Sequence, residues 1–429
     1  MNVAVIGGGY AGMAAAVTLA DQGATVTVYE AAKQLGGRAR RVEVHGLALD
    51  NGLHILIGAY RETLRLIEHV NPAARGTLLR LPLDWVIHQE FRLRASALPA
   101  PLHLIVGLLR ARGVSLTERL SALRFMIRMR LRDYAFPADM AVSELLDRYG
   151  QSARLRRMLW HPLCVAALNT PPDKASARVF LRVLRDSLGA AREDCDLLLP
   201  KTDLTALFPE PAAAHVKARG GTVHVGFRVT AIDPCDAGFS VSVNGRQEVF
   251  SHVICALPPH QVNAFLIGIS ALAEIADNVE RFDFQPIYSV YLRYPGNIRL
   301  PTPMLGFDSV LLHWAFDREL LCGQTGVIGV VISAEGAHQQ LGQEELAQVA
   351  HRELQQRIGP LPEPLWSQVI AEKRATISCT PALRRPSQQT PLKNFFLAGD
   401  YTESDYPATL EAAVRSGIGA ARLVLEKGD

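Results

Sequence analysis

The chain opens on an unbroken apolar run, Val3-Ala4-Val5-Ile6, followed at once by Gly7-Gly8-Gly9. A short continuous apolar run closed by glycine predicts a strand. Small residues, alanine above all, dominate from Tyr10 to Asp21 and predict a helix. Thr25–Tyr29 alternates and predicts a second strand, ending at Glu30. From about Pro82 to Asp196, Leu and Arg recur in a pattern that predicts helices. The runs Ile287–Tyr294, Met304–Phe316 and Val327–Ser333 predict a β-rich stretch that lines a cavity, with most of its Tyr, Trp and Phe residues in the core. Glu344–Ile358 predicts a surface helix and Pro360–Pro364 a turn. Phe395-Phe396-Leu397 predicts a late buried strand ending in Gly399-Asp400, and Pro407 then suits the first turn of a closing helix.

At 429 residues the chain exceeds one compact core, which stops growing near ~250–300 residues. Two domains are therefore expected. With 48% apolar and 20% charged residues, a disordered or fibrous chain is excluded. A net charge of +3 argues against a nucleic-acid-coating role. Cys164, Cys195, Cys235, Cys255, Cys322 and Cys379 are scattered without metal-ligand spacing and read as free thiols of a reducing cytoplasm. No metal site is expected. The opening residues lack a basic region, so no signal peptide is expected. Val253–Leu272 is free of Asp, Glu, Lys and Arg, but Pro258-Pro259 interrupts it, so it is not read as a membrane span.

The chemistry concentrates at the glycines. Gly7, Gly9 and Gly12 fit GxGxxG inside strand, turn, helix, strand, acid. The first glycine allows the tight turn, the second admits a pyrophosphate to the backbone and the third lets helix pack on strand. Free N–H groups of Tyr10 and Ala11 at the helix start suit phosphate. Glu30 suits ribose hydroxyls and disfavours a 2′-phosphate. Gly36-Gly37-Arg38 and Asp50-Asn51-Gly52-Leu53-His54 follow. Gly399-Asp400 can place a carboxylate near a ribityl or ribose hydroxyl, and the positive end of the helix after Pro407 suits an anion.

Taken together, Gly7–Gly12, Glu30, Gly36-Gly37-Arg38 and Gly399-Asp400 resemble the FAD-dependent amine oxidase and phytoene desaturase superfamily. Ala218–Val229 looks like its second nucleotide segment and Val253–Pro259 like its strand and turn. Within it, Asp50–His54 with Gly58-Ala59-Tyr60, Trp160–Cys164, Ala167–Pro171, Glu372–Thr376 and Pro407–Glu411 are similar to the hydroxysqualene dehydroxylases of bacterial hopanoid synthesis. The resemblance covers essentially the whole chain. It implies an α/β fold: a Rossmann-type FAD-binding domain from 1–81, 197–280 and 371–429, interleaved with an α+β substrate domain of mixed sheet plus helices from 82–196 and 281–370. It implies noncovalent FAD held by Gly7, Gly9, Tyr10, Ala11, Gly12, Glu30, Gly37, Arg38, Val229, Gly399, Asp400, Thr409 and Leu410.

The implied reaction is reductive loss of an allylic hydroxyl from hydroxysqualene to give squalene. A hydroxyl leaves only when protonated, so a proton donor is needed. The candidates are His54, Tyr406, Cys164 and Asp405, with His54 first. The implied partners are a hydrophobic isoprenoid substrate and an external electron donor, with no nucleic acid. A carotenoid-type desaturase is the alternative. An amine oxidase fits less, because the flavin-facing lysine of that class has no counterpart between Lys217 and Lys373. A prenyl-binding protein without chemistry, like the Rab GDP-dissociation inhibitors, is disfavoured by the intact phosphate loop. Between Trp85 and Trp160 stand 13 arginines and 6 acidic residues. They read either as a solvated helix face or as a peripheral contact with anionic lipid, which would place a cytoplasmic protein on the inner face of the cell membrane.

Overall fold

The computed structural model describes residues 1–309 and 311–426. Its first layer is a five-stranded sheet in the order Thr222–Val225, Thr25–Glu30, Asn2–Ile6, His252–Cys255, Phe395–Leu397, paired in parallel throughout. Asn2–Ile6 lies at its centre with Val3, Ala4 and Val5 fully buried. That is why this strand reads as a continuous apolar run rather than an alternation. Helix Tyr10–Asp21 covers one face and packs on helix Leu410–Glu426, so the two ends of the chain share one core. Gly417 sets their closeness: an added Cβ there would stand 2.1 Å from the Ala11 carbonyl oxygen. The other face is covered by the antiparallel strands Val229–Cys235, Gly238–Val243 and Arg246–Phe250.

The second layer is a seven-stranded, mostly antiparallel sheet. Its order is Trp366–Ile377, Phe284–Arg293, Val327–Ser333, Trp314–Asp317, Met304–Gly306, Asp84–Ile87, Phe91–Arg94. Two features differ from the sequence reading. The expected run Met304–Phe316 is two short antiparallel strands paired Gly306 to Trp314, because Ser309 turns the chain by accepting the Leu311 and Leu312 N–H groups at 3.1 Å each. Residues 84–94, expected to be helical, form a hairpin. Phe91 and Leu93 are buried while Arg92 and Arg94 are exposed, a period of two that the abundance of Leu and Arg disguised. Strand Trp366–Ile377 is continuous across position 370, where a domain boundary was expected.

Helices Leu102–Leu109, Leu116–Leu131, Val142–Arg148, His161–Leu168 and Ala177–Leu188 pack their apolar faces into one cluster with the hairpin and the edge of this sheet. Among the described residues no helix is long and apolar enough to cross a membrane.

Candidate active site

Each glycine of the first turn has a distinct job. Gly7 sits at φ +111°, and its N–H donates to the Tyr29 carbonyl at 2.8 Å. A Cβ on Gly12 would stand 1.9 Å from the Gly7 carbonyl oxygen, so only glycine lets the helix begin this close to the strand. Gly9 is different. It caps helix Tyr10–Asp21 in an extended conformation with no side-chain hydrogen bond, and a Cβ there would find nothing nearer than Gly37 Cα at 3.9 Å. The protein therefore leaves space above Gly9, facing the left-handed Gly36 and Gly37, with the first helical N–H groups bare. A diphosphate fits that cradle in size and charge.

The neighbours close the cradle. Glu30 Oε2 accepts the Gly8 N–H at 2.7 Å and Oε1 the Ala32 N–H at 2.8 Å, which fixes the carboxylate at the end of its strand. Arg38 Nη2 pairs with Asp400 Oδ1 at 2.6 Å, joining the N-terminal glycine segment to the C-terminal strand. Gly399 is held at φ +154°, and its N–H donates to Ser416 Oγ at 2.8 Å. Thr409 Oγ1 accepts the Ala412 N–H at 3.2 Å and so caps helix Leu410–Glu426. Ala11 is buried between the helices. Tyr10 donates its hydroxyl to the Leu204 carbonyl at 2.9 Å, so its side chain belongs to the core and only its backbone faces the cradle. Val229 is buried at the start of its strand, and Leu410 packs on the helix cluster.

A cavity of the structure includes Thr409 in its lining. Its wall is mostly apolar: Ile55, Leu93, Leu163, Val183, Met304 and Trp314 are typical. The sheet contributes Met304 and Trp314, and the unexpected hairpin contributes Trp85 and Leu93. Polar groups gather where Tyr60, Asp186, Tyr406, Thr409 and Glu411 line the cavity. The Tyr406 hydroxyl donates to Asp186 Oδ2 at 2.7 Å. Burial alone would raise the Asp186 carboxyl, but hydrogen bonds from Arg185 and Tyr406 outweigh it and hold the group below its usual range. Burial, reinforced by Asp186, holds the Tyr406 phenol above its usual range. Glu411 is buried and accepts the Thr63 N–H at 2.9 Å, the Thr63 hydroxyl at 2.7 Å and Arg415 Nε at 2.7 Å.

The four expected proton donors separate. Tyr406 alone among them lines the cavity. His54 Nδ1 lies 2.6 Å from the Gly52 carbonyl oxygen. Burial, with Arg38 adding to it, pulls the imidazole below its ordinary value, so it is neutral at pH 7. Cys164 is fully buried, its Sγ 3.8 Å from the Thr170 carbonyl oxygen, and burial pushes the thiol up. Asp405 is exposed and paired with Arg182. Asp50 is buried, 3.5 Å from Arg318 Nη1, and its Oδ1 accepts the Leu204 N–H at 2.8 Å.

Sequence reasoning gave no role to Asp186, Tyr60 or Glu411. Tyr60 and Glu411 stood inside motifs already singled out. Asp186 was visible only as the partner of Arg182 at helical spacing. The fold also gathers Asp21, His69 and His215 from three helices, but Arg219 Nε lies 2.7 Å from Asp21 and makes this a charge cluster that already holds a cation.

Comparison with known proteins adds an independent line. The family model for flavin-containing amine oxidoreductases matches residues 10–425. The chain is 30% identical to a hydroxysqualene dehydroxylase of Sinorhizobium fredii, covering 99% of each chain, and 29% identical to one of Rhodopseudomonas palustris, covering 100% of this chain and 99% of that one. A zeta-carotene desaturase of Zea mays is more distant, at 25% over 100% of this chain and 84% of its own. Among solved structures, an oxidoreductase from Methanosarcina mazei superposes with a TM-score of 0.77 at 14% identity, over 98% of this chain and 100% of that one. That likeness is one of fold.

Proposed function

This chain belongs to the flavin-containing amine oxidoreductase family, and from that premise we propose that it is an FAD-dependent oxidoreductase that removes the allylic hydroxyl of hydroxysqualene to give squalene. The observation that carries the reading is the cavity: an apolar wall suited to an isoprenoid chain, with Tyr60, Asp186, Tyr406 and Glu411 beside Thr409 of the cofactor groove. The more distant likeness to a desaturase leaves the oxidative alternative without comparable support.

Gly9, Tyr10 and Ala11 offer backbone N–H groups to the diphosphate, Glu30 takes the adenosine ribose, Val229 flanks the adenine, and Arg38 with Asp400 holds the middle of the cofactor. Thr409 and Leu410 present the positive end of the last helix to the flavin ring. Binding is noncovalent, since Tyr401-Thr402-Glu403-Ser404 offers neither thiol nor imidazole. When bound in its reduced form, FAD supplies the hydride that replaces the departing hydroxyl.

The protein's own groups manage the rest. The apolar wall excludes water from the carbon that loses its oxygen. Tyr406 turns its one phenolic proton from Asp186 to the substrate hydroxyl, which leaves as water, and the tyrosinate then takes a proton from solvent. Asp186 stays ionised and fixes the phenol, and its negative charge stabilises the positive charge that develops on the allylic carbons. Hydride and proton in, water out, leaves the hydrocarbon. The electrons come from an external donor, since the single GxGxxG unit is the one assigned to FAD. Cytoplasmic placement with peripheral contact at the inner face of the cell membrane suits a substrate this apolar.

The test is anaerobic incubation of chemically reduced holoenzyme with hydroxysqualene in detergent, followed by product analysis. Squalene with stoichiometric flavin reoxidation is expected. No reoxidation by hydroxysqualene, together with reduction of the oxidised enzyme by a polyene, would replace this reading with the desaturase.

A further inference from the structure

Helix Leu116–Leu131 has an inner and an outer face. Ala122, Phe125 and Met129 are buried in the cluster that also holds the cavity residues Trp85, Leu93 and Leu159. Successive residues turn about 100° around a helix, which places Leu116, Leu120, Ile127 and Leu131 within about 60° of one another and opposite that inner face. These four side chains are 62%, 49%, 45% and 81% exposed. A soluble helix puts polar residues there. Beside it, helix Leu102–Leu109 buries Leu104 and Leu108 and exposes Leu102 and Leu109, seven residues and about two turns apart, at 47% and 38%.

Charge surrounds this apolar stripe asymmetrically. By the same turn angle, Arg124 and Arg128 flank it on one side and Arg119 and Arg130 on the other. Glu118 is the single acid of the helix. It faces away, closing the capping box at Ser115 and accepting the Ser152 hydroxyl at 2.6 Å. Leucines at the centre, guanidinium groups on both flanks and no outward carboxylate match a bilayer surface, with phosphate at the level of the arginines and acyl chain under the leucines.

We infer that the outer faces of helices Leu102–Leu109 and Leu116–Leu131 form a docking surface for an anionic lipid bilayer. Its six exposed side chains enter the acyl boundary. The inner faces of the same helices lie on the apolar cluster that walls the cavity, so docking brings the cavity to the membrane. That the cavity collects a lipid-borne isoprenoid rests on the function proposed above; the surface itself does not.

The experiment is flotation of holoenzyme with vesicles of phosphatidylcholine alone and with vesicles that also carry phosphatidylglycerol. Binding to the second set, weakened by salt, is expected. A Leu116→Ser, Leu120→Ser, Ile127→Ser, Leu131→Ser variant should bind about tenfold or more weakly, and Arg124→Gln with Arg128→Gln should lose part of the preference for anionic vesicles. Flavin content and turnover of hydroxysqualene in detergent should match the wild type in both variants, while turnover of substrate embedded in vesicles falls. Wild type that fails to float at low salt, or a serine variant that floats equally well, would overturn the assignment. So would a wild-type dimer that dissociates in the serine variant without any vesicle binding, because the stripe would then be covered by a second copy. Detergent turnover tests the proposed reaction separately, so the two inferences fail by different readouts.

Discussion

The hydroxyl of Tyr406 lies 2.7 Å from Asp186 Oδ2, two side chains separated by 220 residues of sequence that meet on the wall of the substrate cavity. In the proposed reaction the pair divides the labour that loss of a hydroxyl requires: a phenol still protonated at neutral pH, and so able to give a proton, and a carboxylate that keeps its charge. Tyr406→Phe removes the proton donor and should slow flavin reoxidation by hydroxysqualene by ~10²–10⁴-fold, the usual worth of general acid catalysis, with flavin content unchanged. Asp186→Asn keeps the shape and removes the charge, and should slow the same step while leaving substrate affinity near the wild-type value. Anaerobic stopped-flow mixing measures both. A Tyr406→Phe enzyme at the wild-type rate would return the acid role to His54.

The pH dependence distinguishes these two acids. Tyr406 is held above its usual value near 10, so its protonated form persists and the reoxidation rate should stay level from about pH 6 to 9. Asp186 is held below the ordinary carboxylate range, so its ionised form persists above that range, and the rate should fall only as acid protonates it. His54, lowered by burial and by Arg38, would instead give a rate that already declines as pH rises through a value under about 6.5. His54→Ala should therefore leave the profile level.

Gly9 and Gly12 should fail in different ways. The protein leaves the space above Gly9 open, and its backbone is extended, so Gly9→Val should fold with near-normal circular dichroism and lose FAD binding. Gly12→Val drives a side chain into the Gly7 carbonyl and should destabilise the whole domain, as thermal unfolding would record. Glu30→Ala should weaken FAD by roughly the ~1.5–3 kcal/mol of a charged hydrogen bond, measured by titrating apoprotein. Gly9→Val protein that binds FAD as well as wild type would contradict the cradle.

Noncovalent attachment predicts that acid precipitation leaves a colourless pellet and a yellow supernatant. Colour retained in the pellet would require a covalent link that Tyr401–Ser404 does not offer.

What the sequence determined by itself is local. Glycines at positions 7, 9 and 12 must turn, open and pack at those spacings because the contacts they control lie within one strand and one helix, and the apolar run Val3–Ile6 is buried wherever a parallel sheet is covered on both faces. The tight turn at Gly7, the open space above Gly9 and the close packing at Gly12 were legible for that reason. Only the tertiary structure decided the chemistry of the cavity. Tyr60, Asp186, Tyr406 and Glu411 come from separate elements, and no periodicity says which tyrosine will meet which carboxylate. His54 stood first among the donors because the segment Asp50–His54 resembles one that lies near the flavin in relatives, yet its environment is set by burial and by Arg38, neither of which a local motif encodes. The hairpin at 84–94 shows the same limit from the other side: Phe-Arg-Leu-Arg carries the period of a strand and pairs locally with Asp84–Ile87, but it was the strand Met304–Gly306, more than 200 residues away, that gave the hairpin a sheet to join at Ile87.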